Sequence, residues 1–154
     1  MTPKEYAIEV VMPTVQEYIR HRNDRRLAYL SCIAAYHLTD YVATAEGTSK
    51  SDVCQKIRAI CANAFDVVQG ICHGSKHSRA TTAAFKFEAG SERPVPPFAY
   101  GVGAYGHGRY GGVGGHEVDH NGHTMFVDVC LTVVLATFKR EYPQHFVDVE
   151  FKFE

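Results

Sequence analysis

Residues 24–47 read DRRLAYLSCIAAYHLTDYVATAEG and carry the strongest helical pattern of the chain. Apolar side chains recur there at spacings of three and four, the period of a helix with one buried face. The positions on this predicted face are Leu27, Leu30, Ala34, His37 and Tyr41. Gly47 follows as a residue suited to end the helix. The pattern predicts a helix from Asp24 to Ala45 with His37 on its buried stripe.

A helix is also predicted at the start of the chain. Thr2-Pro3-Lys4-Glu5 has the form of a capping box, in which a hydroxyl and a glutamate satisfy the free amides of a helix start. Pro13 cannot donate a helical hydrogen bond, so we expect a kink or a restart at Thr14. The helix should end near Arg20.

A third helix is predicted to start after Ser49 or Ser51, since serine is a favourable capping residue. It should end near Gly74, with a bend at Gly70. Its apolar face comprises Ile57, Cys61, Ala64, Val68 and Ile71.

The hydrophobic period changes to two in the second half of the chain, as in half-buried strands. Such alternation covers residues 83–89 and residues 147–154. Asn121-Gly122 lies between two further alternating segments and is typical of a tight hairpin turn. Residues 93–97 form an extended, turn-forming stretch, and the glycine-rich residues 101–115 are expected to form a loop or an irregular hairpin.

These elements predict an α+β fold in a single domain, residues 1–154. The helical part covers residues from about 2 to 78 and contains about three helices. The β-rich part covers residues from about 81 to 154. It should hold a small antiparallel sheet with the Asn-Gly hairpin, a C-terminal helix over residues 127–142 and a final strand. For residues 129–134, rich in β-branched side chains, a strand is the alternative to a helix.

The composition is that of an ordinary globular domain. The chain has 154 residues, 45% hydrophobic and 21% charged, and a net charge of −1. Nucleic acid is therefore not favoured as a partner, and the short basic cluster at residues 20–26 is typical of a solvated helix junction. No apolar run approaches the roughly 18 residues of a membrane span, so we expect no membrane partner.

The cysteines indicate a reducing compartment. The five are Cys32, Cys54, Cys61, Cys72 and Cys130. They form no C-x-x-C pair, they lie mostly in apolar helical patterns, and their number is odd. The start of the chain also lacks the pattern of a secretory signal. We expect a cytoplasmic protein with reduced cysteines.

Polar residues on two of the predicted helices could form one site. His37 and Asp40 are three residues apart on one helix, and His73 and His77 are four apart at the end of another. Zinc and other divalent transition metals accept imidazole and carboxylate ligands, so these four residues are candidate metal ligands. His37, Asp40, Lys76 and His77 are candidate catalytic residues, because histidine exchanges protons near neutral pH.

The same residues have a structural interpretation, which we favour. His37 could be a core histidine that is hydrogen-bonded to Asp40 or to a backbone carbonyl. Residues 73–77, His-Gly-Ser-Lys-His, could form a helix C-cap whose basic groups suit the helix dipole. Paired polar residues at these spacings occur on many helices that have no further function.

Two other motifs carry weaker signals. His116, His120 and His123 lie around the hairpin turn, and His120 and His123 should face each other there as an exposed two-histidine metal clip. Residues 101–111 match G-x-G-x-x-G twice, yet no βαβ unit surrounds them. The glycines are more typical of a loop that acts as a lid or binds a partner.

The order of these segments resembles that of a group of small uncharacterised bacterial proteins. His-Leu-Thr-Asp-Tyr at residues 37–41 matches their H-x-x-D-aromatic helix, and residues 69–77 match a later N-G-x-K-H-like segment. His73 stands where asparagine would be expected. The resemblance covers most of the chain and implies no activity. It implies importance for His37, Asp40, Gly74, Lys76 and His77.

Two functions are compatible with this sequence. The favoured one is a regulatory or interaction protein, in which a His/Asp/Lys cluster organises the junction between helices and sheet. The alternative is a small hydrolase or phosphodiesterase, nuclease-like, that acts through a metal or a His/Lys pair. The chain contains no complete catalytic motif, which favours the first. We also expect a homodimer, since an unpaired terminal strand at a sheet edge invites pairing.

Overall fold

The computed structural model describes residues 1–77, 85–96 and 114–153, with the backbone alone at residues 76 and 77. The helices are α1 (Pro3–Tyr6), α2 (Met12–Arg20), α3 (Arg25–Glu46), α4 (Lys50–His77) and α5 (Val127–Glu141). The strands are β1 (Arg93–Val95), β2 (Gly115–His120) and β3 (His123–Phe126). A π-helical turn (Ala7–Val11) joins α1 to α2, and a 3₁₀ turn (Pro143–His145) follows α5. The described residues therefore form a mostly helical α+β fold with a small three-stranded antiparallel sheet, as predicted.

The first helix runs through Pro13 without a break. Thr2 and Glu5 form the predicted capping box: Glu5 N donates to Thr2 Oγ1 over 3.2 Å, and Thr2 N donates to Glu5 Oε2 over 2.7 Å. Pro13 lies in the first turn of α2, directly after the π-helical turn. In a regular α-helix its ring would clash with the carbonyl four residues back, and the wider π turn relieves that clash. The predicted kink is thus replaced by a local widening of the helix.

Helix α3 has the predicted ends but a different buried face. Asp24 caps its start, and Gly47 follows its end at φ +64°. Leu30, predicted on the buried stripe, is 40% exposed, and the His37 side chain is 35% exposed. The buried residues are Leu27, Ala28, Ser31, Cys32, Ala34, Ala35, Tyr36, Leu38, Thr39, Val42 and Ala43. The face is rotated because several helices pack on α3, and its small side chains allow their close approach.

Helix α4 is broken at Cys61, where φ is −132° and ψ is 51°. The predicted bend at Gly70 is therefore wrong. Gly70 instead provides room for a neighbouring segment: a Cβ atom there would lie 2.7 Å from the Phe85 carbonyl oxygen. A Cβ atom at Gly74 would lie 2.6 Å from Cδ1 of Phe87. The two glycines, one helical turn apart, form a groove in which residues 85–87 pack on α4.

The sheet has the strand order β1-β2-β3. Strands β2 and β3 form a hairpin around Asn121 and Gly122, whose φ angles are 50° and 76°. Positive φ at both positions is what a two-residue turn of type I′ requires. Strand β1 lies in the stretch that the sequence predicts as turn-forming. Pro94 is compatible with it because β1 is an edge strand, where a missing amide proton costs no ladder hydrogen bond.

The strand predicted over residues 83–89 is not formed in its described part. Residues 85–89 are irregular apart from a single bridge residue at Glu88. Phe87 is buried and Phe85 is partly buried, so the alternation reflects one-sided burial on α4 and not strand pairing. The glycine-rich loop predicted at residues 101–115 lies outside the described residues as far as position 113.

The final strand predicted over residues 147–154 is also wrong, because the described residues 147–153 form a turn and irregular backbone. Val149 is buried, and Phe151 and Phe153 are partly buried against the core. Their alternation matches the prediction, but none of the three described strands pairs with them. Among the described residues from 85 onward, the longest element is the 15-residue helix α5.

The hydrophobic core lies mainly between the helices. Helix α3 contacts α2, α4 and α5, and α5 also contacts β2 and β3. The buried cluster includes Phe87, Val118 and Val149, so the segments outside the helices contribute to the same core. None of the helices in the described ranges is long and apolar enough to cross a membrane.

Replacing Gly70 with alanine should destabilise the protein. The new Cβ would meet a backbone carbonyl at 2.7 Å, which cannot move away as a flexible side-chain end could. We expect the free energy of unfolding in urea to fall by about 1–3 kcal/mol, more than the higher helix propensity of alanine restores. Gly115→Ala is the control, because a Cβ at Gly115 has no heavy atom within 4 Å. An unchanged or higher urea midpoint for Gly70→Ala would contradict the close packing.

Candidate functional site

His37 and Asp40 meet on α3, and Lys50 joins them from the first turn of α4. His37 Nδ1 and Lys50 Nζ each lie 2.8 Å from the same atom, Asp40 Oδ2. An ionised carboxylate only accepts hydrogen bonds, so Nδ1 of His37 carries the proton in this contact. We call these three residues the Asp40 cluster. It connects two helices through one carboxylate oxygen.

The Asp40 carboxyl is held in its charged form by its two partners. Burial raises the pKa of Asp40, but the hydrogen bonds from Lys50 and His37 outweigh that effect, so the pKa lies below its usual value. The Asp40 side chain is nevertheless 43% exposed. Solvent therefore screens these ion pairs, and each contributes modestly to stability.

Tyr36 lies beside the cluster and connects it to the middle of α4. Lys50 Nζ is 4.3 Å from the centroid of the Tyr36 ring, a favourable cation–π distance. Gln69 Nε2 donates a hydrogen bond of 3.1 Å to the Tyr36 hydroxyl. The ring of His73 makes an edge contact with Tyr36 at a centroid distance of 5.2 Å. Burial raises the pKa of Tyr36 to about 12, so its hydroxyl stays protonated at neutral pH.

The polar contacts continue along α4 across its break. Arg58 Nη2 donates to Gln69 Oε1 over 2.5 Å, and Arg58 Nε donates to Asp66 Oδ1 over 2.7 Å. Arg58 precedes Cys61, whereas Asp66 and Gln69 follow it, so the guanidinium bridges the two halves of the helix. We call Tyr36, Gln69, Arg58 and Asp66 the polar bridge. Together with the Asp40 cluster it fills the polar side of the α3–α4 contact.

Not all predicted site residues can be placed. His37 and His73 both contact Tyr36, at ring-centroid distances of 6.0 and 5.2 Å. Lys76 and His77 lie in the last turn of α4, but their side chains are outside the described part of the chain. Residues 73–77 are helical, so α4 continues past the end predicted near Gly74.

The predicted metal site gains no support from the described side chains. Among them, no group of three or more histidine, cysteine, aspartate or glutamate residues is placed to hold a metal ion. The candidate ligand set His37, Asp40, His73 and His77 includes one side chain that is not described. A divalent metal such as zinc at these residues therefore stays a prediction, as does a catalytic role for Lys76 and His77.

The hairpin histidines have different surroundings. His120 and His123 are opposed across the turn, as a two-histidine clip requires. His120 is buried, however, with its ring 4.8 Å from that of Phe85, whereas His123 is exposed. His116 is buried too, with Nδ1 3.4 Å from the Tyr18 hydroxyl, and burial lowers the pKa of His116. Of the two histidines in the predicted exposed clip, His120 is therefore buried and His123 is exposed.

A second group of polar residues attaches the sheet to α3. Glu92 is buried and forms an ion pair with Arg25. Glu92 Oε2 also accepts hydrogen bonds from the Tyr29 hydroxyl over 2.9 Å and from Gly90 N over 3.0 Å. These contacts position the segment before β1. The ion pair with Glu92 also neutralises Arg25, which belongs to the basic cluster at residues 20–26.

Most arginines of that basic cluster have an acidic partner. The pairs are Arg22 with Asp128, Arg25 with Glu92 and Arg26 with Asp24. Paired arginines offer less charge to a phosphate backbone than free ones would. That nucleic acid is not a favoured partner stays a prediction.

Sequence reasoning missed Lys50 and the polar bridge. One signal was present, since Asp66, Gln69 and His73 follow one another at helical spacings of three and four beside the apolar stripe of α4. The contacts to Tyr36 and Asp40 join different helices. Such contacts depend on how α4 packs on α3, which residue spacing does not specify.

Comparison of the chain with protein-family models, with curated proteins and with solved structures found no significant match. The resemblance to small bacterial proteins with an H-x-x-D-aromatic helix therefore stays a prediction. Function has to be inferred from the geometry of the site.

Replacing Asp40 with asparagine should reduce stability in a pH-dependent way. Because the folded-state pKa of Asp40 is lowered, its charged form stabilises the fold above the unfolded-state pKa of about 4. This stabilisation is lost as the pH falls through the lower, folded-state pKa. We expect the variant to be less stable by up to about 1 kcal/mol at pH 7, with the difference shrinking in acid. Urea unfolding of both proteins at several pH values from 7 to 2.5 measures the stability difference at pH 7 and its decrease in acid.

Asp148→Asn is the matched control for this experiment. Asp148 also pairs with a lysine, Lys4, at 3.0 Å, but its side chain is 76% exposed. We expect a smaller loss of stability at pH 7 than for Asp40→Asn. Equal losses for the two variants would contradict the role of the Asp40 cluster in joining α3 to α4.

Proposed function

We propose that this chain is a regulatory or interaction protein in which the Asp40 cluster has a structural role. The observation that supports this most strongly is that one carboxylate oxygen of Asp40 binds both His37 and Lys50. The two donors come from different helices, so the cluster connects α3 to the start of α4. Lys50 also covers the Tyr36 ring, which adds a contact between the same helices.

The space next to the cluster is small for a substrate. A cavity of about 180 Å³ lies beside Asp40 and is lined by Met1, Asp40, Tyr41 and Thr44. Sites for small molecules commonly have volumes of about 300–1,000 Å³ and a mostly apolar lining around a few polar groups. Asp40 is the one member of the cluster that lines this cavity.

The outer face of α5 is the surface that we assign to interaction. It consists of Val129, Thr132, Val133 and Ala136, which are all exposed and follow the helical spacing i, i+3, i+4, i+7. Val129 and Val133 are 40% and 39% exposed. None of the four is charged. We call this surface the α5 face.

A second copy of the chain is the occupant that we propose for the α5 face. Two identical uncharged faces can pack about a two-fold axis without burying an unpaired charge. Small and β-branched side chains also let two helices approach closely. The homodimer predicted from the sequence relied on a terminal strand that the described residues do not form. In our proposal α5 replaces that strand as the dimer contact.

Replacing Val133 with aspartate should prevent dimer formation. We expect wild-type protein to sediment as a dimer at micromolar concentration and the variant to sediment as a monomer, because a carboxylate would be buried at the centre of the contact. Leu30→Asp is the control, since Leu30 is 40% exposed on α3 and outside the α5 face. Wild-type protein that stays monomeric up to high concentration would disprove the dimer.

The second candidate function is a small hydrolase or phosphodiesterase. It is favoured by one observation, the 2.8 Å contact between His37 Nδ1 and Asp40. A carboxylate that holds a histidine through Nδ1 sets the tautomer used by many general bases. This candidate requires that His37 be needed for turnover and dispensable for folding.

The variant His37→Gln distinguishes the two functions. If the cluster is structural, we expect lower stability and no His37-dependent hydrolysis of bis(p-nitrophenyl) phosphate, with zinc, manganese or magnesium supplied. His145→Gln is the matched control, because His145 also pairs with an acid, Glu46 at 2.6 Å, outside the Asp40 cluster. A loss of kcat/KM of about 100-fold or more in His37→Gln alone, with stability retained, would establish the hydrolase instead.

A further inference from the structure

The turn of the β2–β3 hairpin is attached to α4 by polar side chains that neither proposed function uses. Asn121 Nδ2 lies 3.1 Å from Asn63 Oδ1 and 3.1 Å from His120 Nε2. His120 Nε2 also lies 3.5 Å from Asp66 Oδ2. Asn63 and Asp66 both follow the break in α4 at Cys61. The tip of the hairpin therefore contacts the helix just beyond its irregular residue.

His120 Nε2 faces two groups with opposite requirements. The amide nitrogen of Asn121 can only donate, so Nε2 must be without a proton to accept from it. The carboxylate of Asp66 can only accept, so Nε2 must carry a proton to donate to it. With the Asn121 amide in this orientation, no single protonation state of Nε2 satisfies both contacts. In the arrangement described, the shorter distance is the one to Asn121.

We propose that protonation of His120 moves its Nε2 atom from Asn121 to Asp66, so that the hairpin turn is a proton-operated latch on α4. In the neutral state, Asn121 holds both His120 and Asn63. In the protonated state, Nε2–H pairs with Asp66 and repels the Asn121 amide group. The Asn121 side chain then turns, and its Nδ2 bond to Asn63 is broken.

The surroundings of His120 direct this exchange. Arg58 occupies Oδ1 of Asp66, which leaves Oδ2 as the oxygen toward His120. The ring of Phe85 lies against His120 and is uncharged. His123, the cross-strand neighbour, is a further titratable group beside His120. It is exposed, so solvent screens its charge.

The backbone of the turn can stay fixed during the exchange. Asn121 and Gly122 hold the positive φ angles of the hairpin turn, and His120 is paired in the β ladder. The side chains of His120 and Asn121 have only short rotations to make. The latch therefore changes which part of α4 the hairpin contacts, Asn63 or Asp66, without unfolding the sheet.

Nuclear magnetic resonance of isotope-labelled protein tests the latch directly. At high pH, where the His120 ring is neutral, we expect ring nitrogen shifts that show an unprotonated Nε2. As the ring takes up its proton, the side-chain ¹⁵N signal of Asn121 and the carboxyl ¹³C signal of Asp66 should shift along the same curve. A neutral ring that is protonated at Nε2, or an Asn121 or Asp66 signal that does not follow the ring, would overturn the proposal.

Two variants separate His120 from its neighbours. In His120→Gln, residue 120 cannot be protonated, so the Asn121 ¹⁵N and Asp66 ¹³C signals should lose the pH-dependent step that follows the His120 ring in the wild type. In His123→Gln, the matched control on the other side of the turn, both steps should remain. Steps that vanish in His123→Gln and persist in His120→Gln would assign the effect to His123 and refute the latch. The wild-type measurement decides the question by itself if a variant does not fold.

Discussion

The packing of α4 along α3 brings together the Asp40 cluster and joins it, through Tyr36, to Gln69 of the polar bridge. Helix α3 is buried on several sides, and its small residues allow α4 to come close. Tyr36 lies at this contact and meets Lys50 from the first turn of α4 and Gln69 and His73 from its second half. A rotation of α4 about its axis would separate all of these pairs at once. The contact therefore fixes the register of the two helices.

The break at Cys61 makes that register harder to maintain, because α4 consists of two helical segments and not one rigid rod. Arg58 compensates by binding Asp66 and Gln69 from the other side of the break. Ion pairs of this kind often add little net stability, since desolvation offsets their attraction. Removing one partner is costly, however, because the other charge is left unpaired. The polar bridge thus penalises wrong arrangements of the two segments more than it stabilises the correct one.

The sequence predicted those features that depend on neighbouring residues. The capping box at Thr2, the cap at Asp24 and the left-handed Gly47 are local, and each is present. The contact between His37 and Asp40 follows from their spacing on one helix. Strands were harder to predict, because alternation at residues 85–89 and 147–153 reports burial on one side whether or not a second strand is available. A strand also requires a partner, which the alternating segment itself does not encode.

Features that depend on packing between elements could not be predicted in this way. The buried face of α3 is rotated from the stripe of large apolar residues, because close helix contact favours small side chains over large ones. The role of Gly70 is likewise visible only once Phe85 is placed against it. Lys50 was overlooked for the same reason, since its partners Asp40 and Tyr36 belong to another helix.

Asp40 on α3 and Asp66 on α4 place the same chemistry in different environments. At Asp40, two donors share one oxygen in a carboxylate that is substantially exposed, so water can replace either donor at small cost. At Asp66, the carboxylate is buried and its two oxygens face different partners, Arg58 and His120. Solvent screens a change in charge there less than it does at Asp40. The exposed carboxylate is therefore suited to holding helices together, and the buried carboxylate to responding when a neighbouring group gains a proton.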